Sequence, residues 1–381
     1  MSRSPERGLR HVSRLMIAML TGACFCAPRL AAAAGPAPTW PSEVTLNGFL
    51  STSYCYNFNR PASATNQFRV FDFDETTFKV DVLELVVQKP VARPRESGFR
   101  ADVDFGSSIP RVTASAGLFR DAGGNAEDVD LQQAFASYVA PLGSGLRFDM
   151  GKFITGHGYE VIEGHDGWND NATRSILFGY AIPFTHVGVR ASYAFTPRLS
   201  GLMMVVNGWD VARDNNRSKS VGSQLTWTPT SPLTLIVSGM FGPERNANDA
   251  DSRELLDVVA IFKATSRLTL GANADICAEE SATAAQQDGH WSGIAGYARL
   301  AVTEPFAVGV RAEYFDDSDG VRTGVGQFLR EATATAELRV TPHFLVRGDL
   351  RVDRSNLAVL QTRTGTRNTQ PTLLLNAIYS F

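Results

Sequence analysis

The chain has 381 residues, of which 44% are hydrophobic and 20% charged, and its formal net charge is −3. The apolar share is too high for a disordered chain, the 33 Gly and 18 Pro too few for a collagen-like one, and four cysteines cannot staple a disulfide scaffold. A slightly acidic balance without a basic block speaks against nucleic acid as a partner, and no apolar run after residue 34 is long enough for a membrane helix, which leaves a β-barrel as the one membrane class compatible with this composition.

Residues 1–14 carry Arg3, Arg7, Arg10 and Arg14 against Glu6, the apolar stretch Leu15–Ala27 follows, and Leu30–Ala34 supplies small residues. This order predicts a secretory signal peptide over 1–34, cleaved near Ala33 or Ala34, because a 13-residue apolar stretch is too short to span a bilayer. In Leu20-Thr21-Gly22-Ala23 before Cys24, the Leu lies one place too far upstream for a lipoprotein signal. The mature chain would carry 31 basic and 38 acidic groups, a net of −7, and keep only Cys55 and Cys277, expected as free thiols on distant strands. Residues 35–43 are expected as a short periplasmic segment ahead of a barrel domain over 44–381.

From residue 44 the dominant period is 2. Phe99, Ala101, Val103 and Phe105 alternate with Arg100, Asp102 and Asp104; Phe306, Val308, Val310, Ala312 and Tyr314 alternate with Ala307, Gly309, Arg311 and Glu313. A strand sends successive side chains to opposite faces, so each run has an apolar face and a polar, charged one. A soluble sandwich would bury large aliphatics on its apolar face. Here Ala and Gly mix with aromatics, which suits lipid outside and a water-filled lumen inside.

Turns give a second argument. Thr196-Pro197-Arg198, Thr228-Pro229-Thr230, Thr265-Ser266-Arg267, Thr303-Glu304-Pro305 and Thr341-Pro342-His343 recur at spacings of 32, 37, 38 and 38 residues. The repeating unit is strand, long polar loop, strand, short turn. Strands are predicted at 44–56, 78–88, 98–106, 131–140, 146–153, 185–195, 199–207, 220–227, 233–242, 254–264, 268–276, 291–301, 306–315, 331–340, 344–353 and 371–381. The fold class is all-β: a transmembrane antiparallel up-and-down barrel of about 16 strands, with 14 or 18 as the alternatives. Within 78–88 the period slips between Val82 and Leu83, which predicts a bulge. The last strand places Leu373, Leu375, Ala377, Tyr379 and Phe381 on one face. Tyr379 and the terminal Phe381 resemble the assembly signal of bacterial outer-membrane proteins, which implies the barrel assembly machinery and outer-membrane lipids as partners.

Val44-Thr45-Leu46-Asn47-Gly48-Phe49, the strand Leu83–Lys89, Gly158-Tyr159-Glu160 and Pro183-Phe184-Thr185-His186-Val187-Gly188-Val189-Arg190 together resemble the putative beta-barrel porin-2, or OmpL-like, family. The resemblance covers essentially the whole mature chain. It implies a 16-stranded channel in the outer membrane of a diderm bacterium, with no catalytic residues to carry over.

Pore chemistry resides in the lining. Alternation predicts lumen-facing Arg100, Arg147, Lys152, Arg190, Lys263, Arg299, Arg311, Arg339, Arg347 and Arg351, against Asp102, Asp104, Asp149, Asp257, Asp275, Glu313, Glu337, Asp349 and Asp353. The gap from about Ile154 to Phe184 is the longest between strands, and a loop of that length is usually functional. It carries Glu160, Glu163, Asp166 and Asp170 against Arg174, with Tyr159, Trp168, Phe178 and Tyr180 available to pack it on a wall. Folded inward, it would set an acidic strip opposite wall arginines and mildly favour cations; the other reading is an external loop.

His157, Glu160, Glu163, His165 and Asp166 could ligate a metal, yet EF-hand spacing and a second His at helical spacing are missing, so no metal or cofactor is read. None of the mature chain's five histidines lies in a G-x-S-x-G context, so no enzyme is read either. The expected function is passive diffusion of small hydrophilic solutes through the cell outer membrane, in the homotrimer common among general porins of this size. The alternatives are a channel preferring sugars or oligosaccharides, and a barrel whose external loops bind at the cell surface.

Overall fold

Alternation becomes architecture in the computed structural model, which describes residues 43–114 and 116–381. The predicted signal peptide, 1–34, and most of the periplasmic segment lie outside the described residues. The strands are β1 (Thr45–Asn57), β2 (Thr77–Lys89), β3 (Ser97–Phe105), β4 (Val129–Ala140), β5 (Leu146–Ile154), β6 (Thr185–Thr196), β7 (Leu199–Val206) and β8 (Ser220–Thr230). They continue as β9 (Leu233–Pro243), β10 (Ser252–Lys263), β11 (Leu268–Glu279), β12 (Gly289–Ala301), β13 (Phe306–Asp317), β14 (Gln327–Thr341) and β15 (Phe344–Ser355). After a small hairpin, β16 (Leu360–Gln361) with β17 (Thr366–Arg367), β18 (Thr369–Ser380) pairs with both β15 and β1. The closed antiparallel barrel therefore has 16 strands, one for each predicted segment.

Facing follows parity. Val310 is 53% exposed on the outer face, while its neighbour Arg311 is 1% exposed on the inner one. Outer aromatics gather at both rims: Phe195, Trp227, Phe262 and Tyr379 by the short turns, Phe78, Phe105 and Phe241 by the long loops. Two such girdles flanking an apolar band match a membrane's two interfaces.

The bulge in β2 falls at Asp81, just before the predicted slip. Ser51 pairs with Val82 and Thr52 with Val80, so Asp81 has no partner across the ladder. A matching irregularity in β4 skips Gln132, since Asp102 pairs with Gln133 and Val103 with Leu131. Each extra residue resets the parity beyond it, adding inward polar groups on the β1–β4 wall.

A uniformly polar lumen is not what forms. Met240, Leu255, Cys277 and Trp291 stand in one inward row across β9–β12. With Phe153, Phe315 and Leu329 they pack around a short helix that the alternation did not anticipate, α2 (Ile176–Ala181), which follows a one-turn helix α1 (Ile109–Val112) in an earlier loop. Ser175 caps α2 by accepting from Phe178 N at 2.9 Å. Each large apolar side chain enclosed this way contributes about 1.5–3 kcal/mol, which holds the loop inside. The barrel core thus lies within the lumen, between α2 and the β5–β14 wall. Cys55 on β1 and Cys277 on β11 are free and buried.

Candidate functional site

Loop 155–184 leaves β5 and descends toward the short-turn rim. Gly158 N donates to Asp257 at 3.0 Å and Tyr159 N to Asn273 at 3.1 Å. The Tyr159 ring stacks on Tyr297 with centroids 4.1 Å apart. Lower down, His165 N donates to Glu84 at 2.5 Å. Gly164 leaves room for this approach, since a Cβ there would fall 2.7 Å from the Glu84 carboxylate and push that side chain aside. The chain then climbs through Asn171, which donates to Thr335 at 2.6 Å, and Thr173, whose N–H reaches Asp349 at 2.8 Å. At α2 the N–H groups of Ile176 and Leu177 donate to Glu313 at 2.7 and 2.9 Å. The return is tied by Trp291 Nε1 to Ala181 O at 3.2 Å, and by Phe184 N and Thr185 N to Asp210 at 2.7 and 2.9 Å.

Each acidic residue singled out in this loop meets an arginine. Glu160 contacts Arg311 at 2.6 Å, Glu163 contacts Arg347 at 2.8 Å and Arg174 at 3.2 Å, Asp166 contacts Arg100 at 2.5 Å, and Asp170 contacts Arg299 at 3.2 Å. The acids touch the wall arginines directly rather than facing them across a gap. The other wall cations stay with strand neighbours: Arg147 and Arg190 share Asp149 at 2.8 and 2.9 Å, and Lys152 meets Asp130 at 2.5 Å. Tyr379 and Phe381 sit at the outer rim where the barrel closes, with Phe381 and Gly48 exchanging backbone hydrogen bonds of 2.8 and 3.0 Å.

The metal-competent loop residues disperse. His157 is buried with its ring 6.2 Å from that of His186, His165 touches Glu84, and the glutamates hold arginines; among the described residues no three His, Cys, Asp or Glu groups converge on a common point.

Sequence reasoning placed Asp104 in the lumen but missed the acids beside it. The register sets Glu84, Asp104 and Asp130 side by side on β2, β3 and β4, facing the loop. Glu84 and Asp81 were hidden by the bulge, and Asp130 lay one residue ahead of its predicted strand. Beside this row lies a cavity of about 60 Å³ lined by Asp81, Asp104, Gln132 and the loop residues Ile162 and Glu163. A wider space of about 810 Å³ lies toward the short-turn rim, lined by Tyr159, Asp166, Trp168, Asp170, Arg299 and Glu337.

Two carboxyls at the long-loop rim are shifted by burial. It raises Asp210 to about 6 and Glu244 to about 7, against the lowering effect of hydrogen bonds from Thr185 N and Phe184 N on the first and from Ser220 and Trp209 N on the second.

A family model described as putative beta-barrel porin-2, OmpL-like, matches residues 43–381. No curated protein matches the chain. Among solved structures, an anion-selective porin from Comamonas acidovorans is 12% identical with a TM-score of 0.59, covering 89% of this chain and 99% of its own. The outer-membrane channel DcaP of Acinetobacter baumannii is 13% identical with a TM-score of 0.59, covering 89% and 97%. The trimer form of OmpT from Vibrio cholerae is 11% identical with a TM-score of 0.56, covering 89% and 99%. Closed barrel, inward loop and a family match over the whole described chain converge: this chain belongs to the putative beta-barrel porin-2, OmpL-like, family and is an outer-membrane channel protein for small solutes.

Proposed function

We propose that loop 155–184 is the constriction of a passive diffusion channel, and that solutes pass between it and the β1–β4 wall. The observation that carries this reading is the set of ion pairs from Glu160, Glu163, Asp166 and Asp170 to arginines on β13, β15, β3 and β12. They hold the loop across the lumen, while the apolar cluster around α2 draws most of its wall residues from β5–β14. Because the loop acids are matched by arginines, the residual charge along the path comes from Glu84, Asp104 and Asp81, and it favours cations. The wider space below serves as a vestibule.

Outer-membrane lipids around the aromatic girdles, barrel assembly machinery reading Tyr379 and Phe381, a homotrimer and the lack of an enzymatic activity belong to the same proposal. A sugar-preferring channel is the second reading, favoured by Tyr159 and Trp168 lining the vestibule beside Arg299 and Glu337.

The test is single-channel recording of the purified chain in a planar bilayer, with reversal potential under a potassium chloride gradient. Small, stable, cation-preferring steps are expected, since the path beside the loop is narrow. Folded barrels that pass no current would overturn the channel constriction, and block by oligosaccharides at millimolar concentration would favour the second reading.

A further inference from the structure

We propose that the lumen contains a binding site for the ammonium head of a small amine, built from Asp104 and Asp81 beside loop 155–184. Asp104 is 1% exposed, its Oδ1 has no hydrogen-bond partner, and its Oδ2 accepts only from Gln132 Nε2 at 2.6 Å. Its neighbours in the acidic row are both provided for. Asp130 has Lys152 at 2.5 Å, and Glu84 accepts from His165 N at 2.5 Å. A buried carboxyl with no ion pair of its own is costly to ionise, and a cation arriving from solution would offset that cost.

The cavity itself supports a cation. Asp81 also lines it, accepting from Ser53 at 2.8 Å and Ser51 at 3.2 Å and sharing Lys79, at 3.4 Å, with Asp74 at 3.1 Å. The arginine on the cavity wall, Arg174, faces Glu163 at 3.2 Å, and the remaining acid, Asp72, is paired with Arg69. The lining therefore holds four acids against one arginine, and Asp104 is the acid among them with no ion pair.

The ligand class follows from what surrounds the carboxylates. Among the described residues no trio of ligating groups closes round a metal ion. Phe71, Ile162 and Leu374 supply apolar wall that suits a short alkyl chain. A volume of about 60 Å³ corresponds to roughly four to six water-sized spaces, enough for a molecule the size of propylammonium. The inference rests on reading this space as part of the solute path.

Saturation-transfer NMR on the folded full chain in detergent micelles tests it, with propylammonium chloride as probe and propanol as its neutral counterpart. Transfer to propylammonium but not to propanol is expected, falling about tenfold in Asp104→Asn, as befits loss of a charge-assisted contact. Asp81→Asn, which leaves the Glu84–Asp104–Asp130 row intact, is expected to weaken transfer too and carries the test if Asp104→Asn does not fold. Equal transfer to both probes, or transfer undiminished in the variants, would overturn the site. Current measured in parallel separates the readings: a conducting barrel without binding removes the site alone, whereas binding without current removes the channel path and leaves the site standing.

Discussion

Replacing Arg311 with Ala should release loop 155–184 from the wall. The guanidinium meets Glu160 and Thr173 O at 2.6 Å each and Glu331 at 3.0 Å, and the three charged side chains are at most 1% exposed. Breaking a buried pair from one side costs about 3–5 kcal/mol, since the carboxylates stay buried without their counter-charge. Glu331 keeps Arg351 at 3.6 Å, so the larger share falls on Glu160 and hence on the loop. At about 1.36 kcal/mol per decade, the opening equilibrium of the loop rises by roughly two to four powers of ten. Hydrogen exchange at the Ile176 and Leu177 amides, which donate to Glu313, reads this opening. Their exchange should accelerate by that factor while the β13–β14 ladder amides stay protected. Glu160→Gln should have a smaller effect, and combined with Arg311→Ala should recover part of the loss. Exchange rising by less than about threefold, or strict additivity of the two substitutions, would refute the idea that this ion pair holds the loop.

Asp166→Asn removes a 55% exposed carboxylate from the vestibule lining and leaves Arg100 with one partner fewer; the reversal potential should move toward chloride, and an unchanged value would take the vestibule out of the ion path. Burial lifts the Glu244 carboxyl from 4.5 to about 7, so the folded chain binds this proton more tightly than the unfolded one. Stability contributed here is present at low pH and is lost as pH rises through that window; Glu244→Gln should shrink the difference between urea midpoints measured at pH 5 and pH 8. Gly151 has φ +143, and a Cβ there would fall 2.0 Å from Ala134 O, so Gly151→Ala should cost at least about 1–3 kcal/mol. Gly365→Ala, with nothing within 4 Å of its new Cβ, should leave the same urea midpoint unmoved.

The strands were legible because a barrel writes itself locally. Parity assigned Arg311, Arg347 and Arg351 to the lumen, and the Thr-Pro turns marked where β6, β8 and β14 end. What parity cannot supply is height along the axis, or which loop atom arrives opposite a given strand. Glu160 and Arg311 are 151 residues apart, and their meeting depends on the path of the whole loop. Bulges hid more. One unpaired residue at Asp81 and another at Gln132 reverse the parity around them, which concealed most of the acidic wall that the alternation should have revealed. The apolar filling was readable only in part: Phe315, Trp291 and Leu255 fall on the charged face of their strands, a local contradiction that marks what packs against α2.

The pairing of loop acids with distant arginines also bears on how such a pore changes over evolutionary time. Losing Glu163 alone strands Arg347 and Arg174, and losing Arg347 alone strands Glu163, so neither substitution is neutral on the way to a different lining. Positions 160 with 311, 163 with 347, 166 with 100 and 170 with 299 should therefore drift as couples, leaving correlated exchanges among homologues while each column taken singly looks variable. Anyone redesigning the permeation preference of this barrel faces the same constraint and would edit partners together, or work on the acids of the β2–β4 wall that have no arginine to lose.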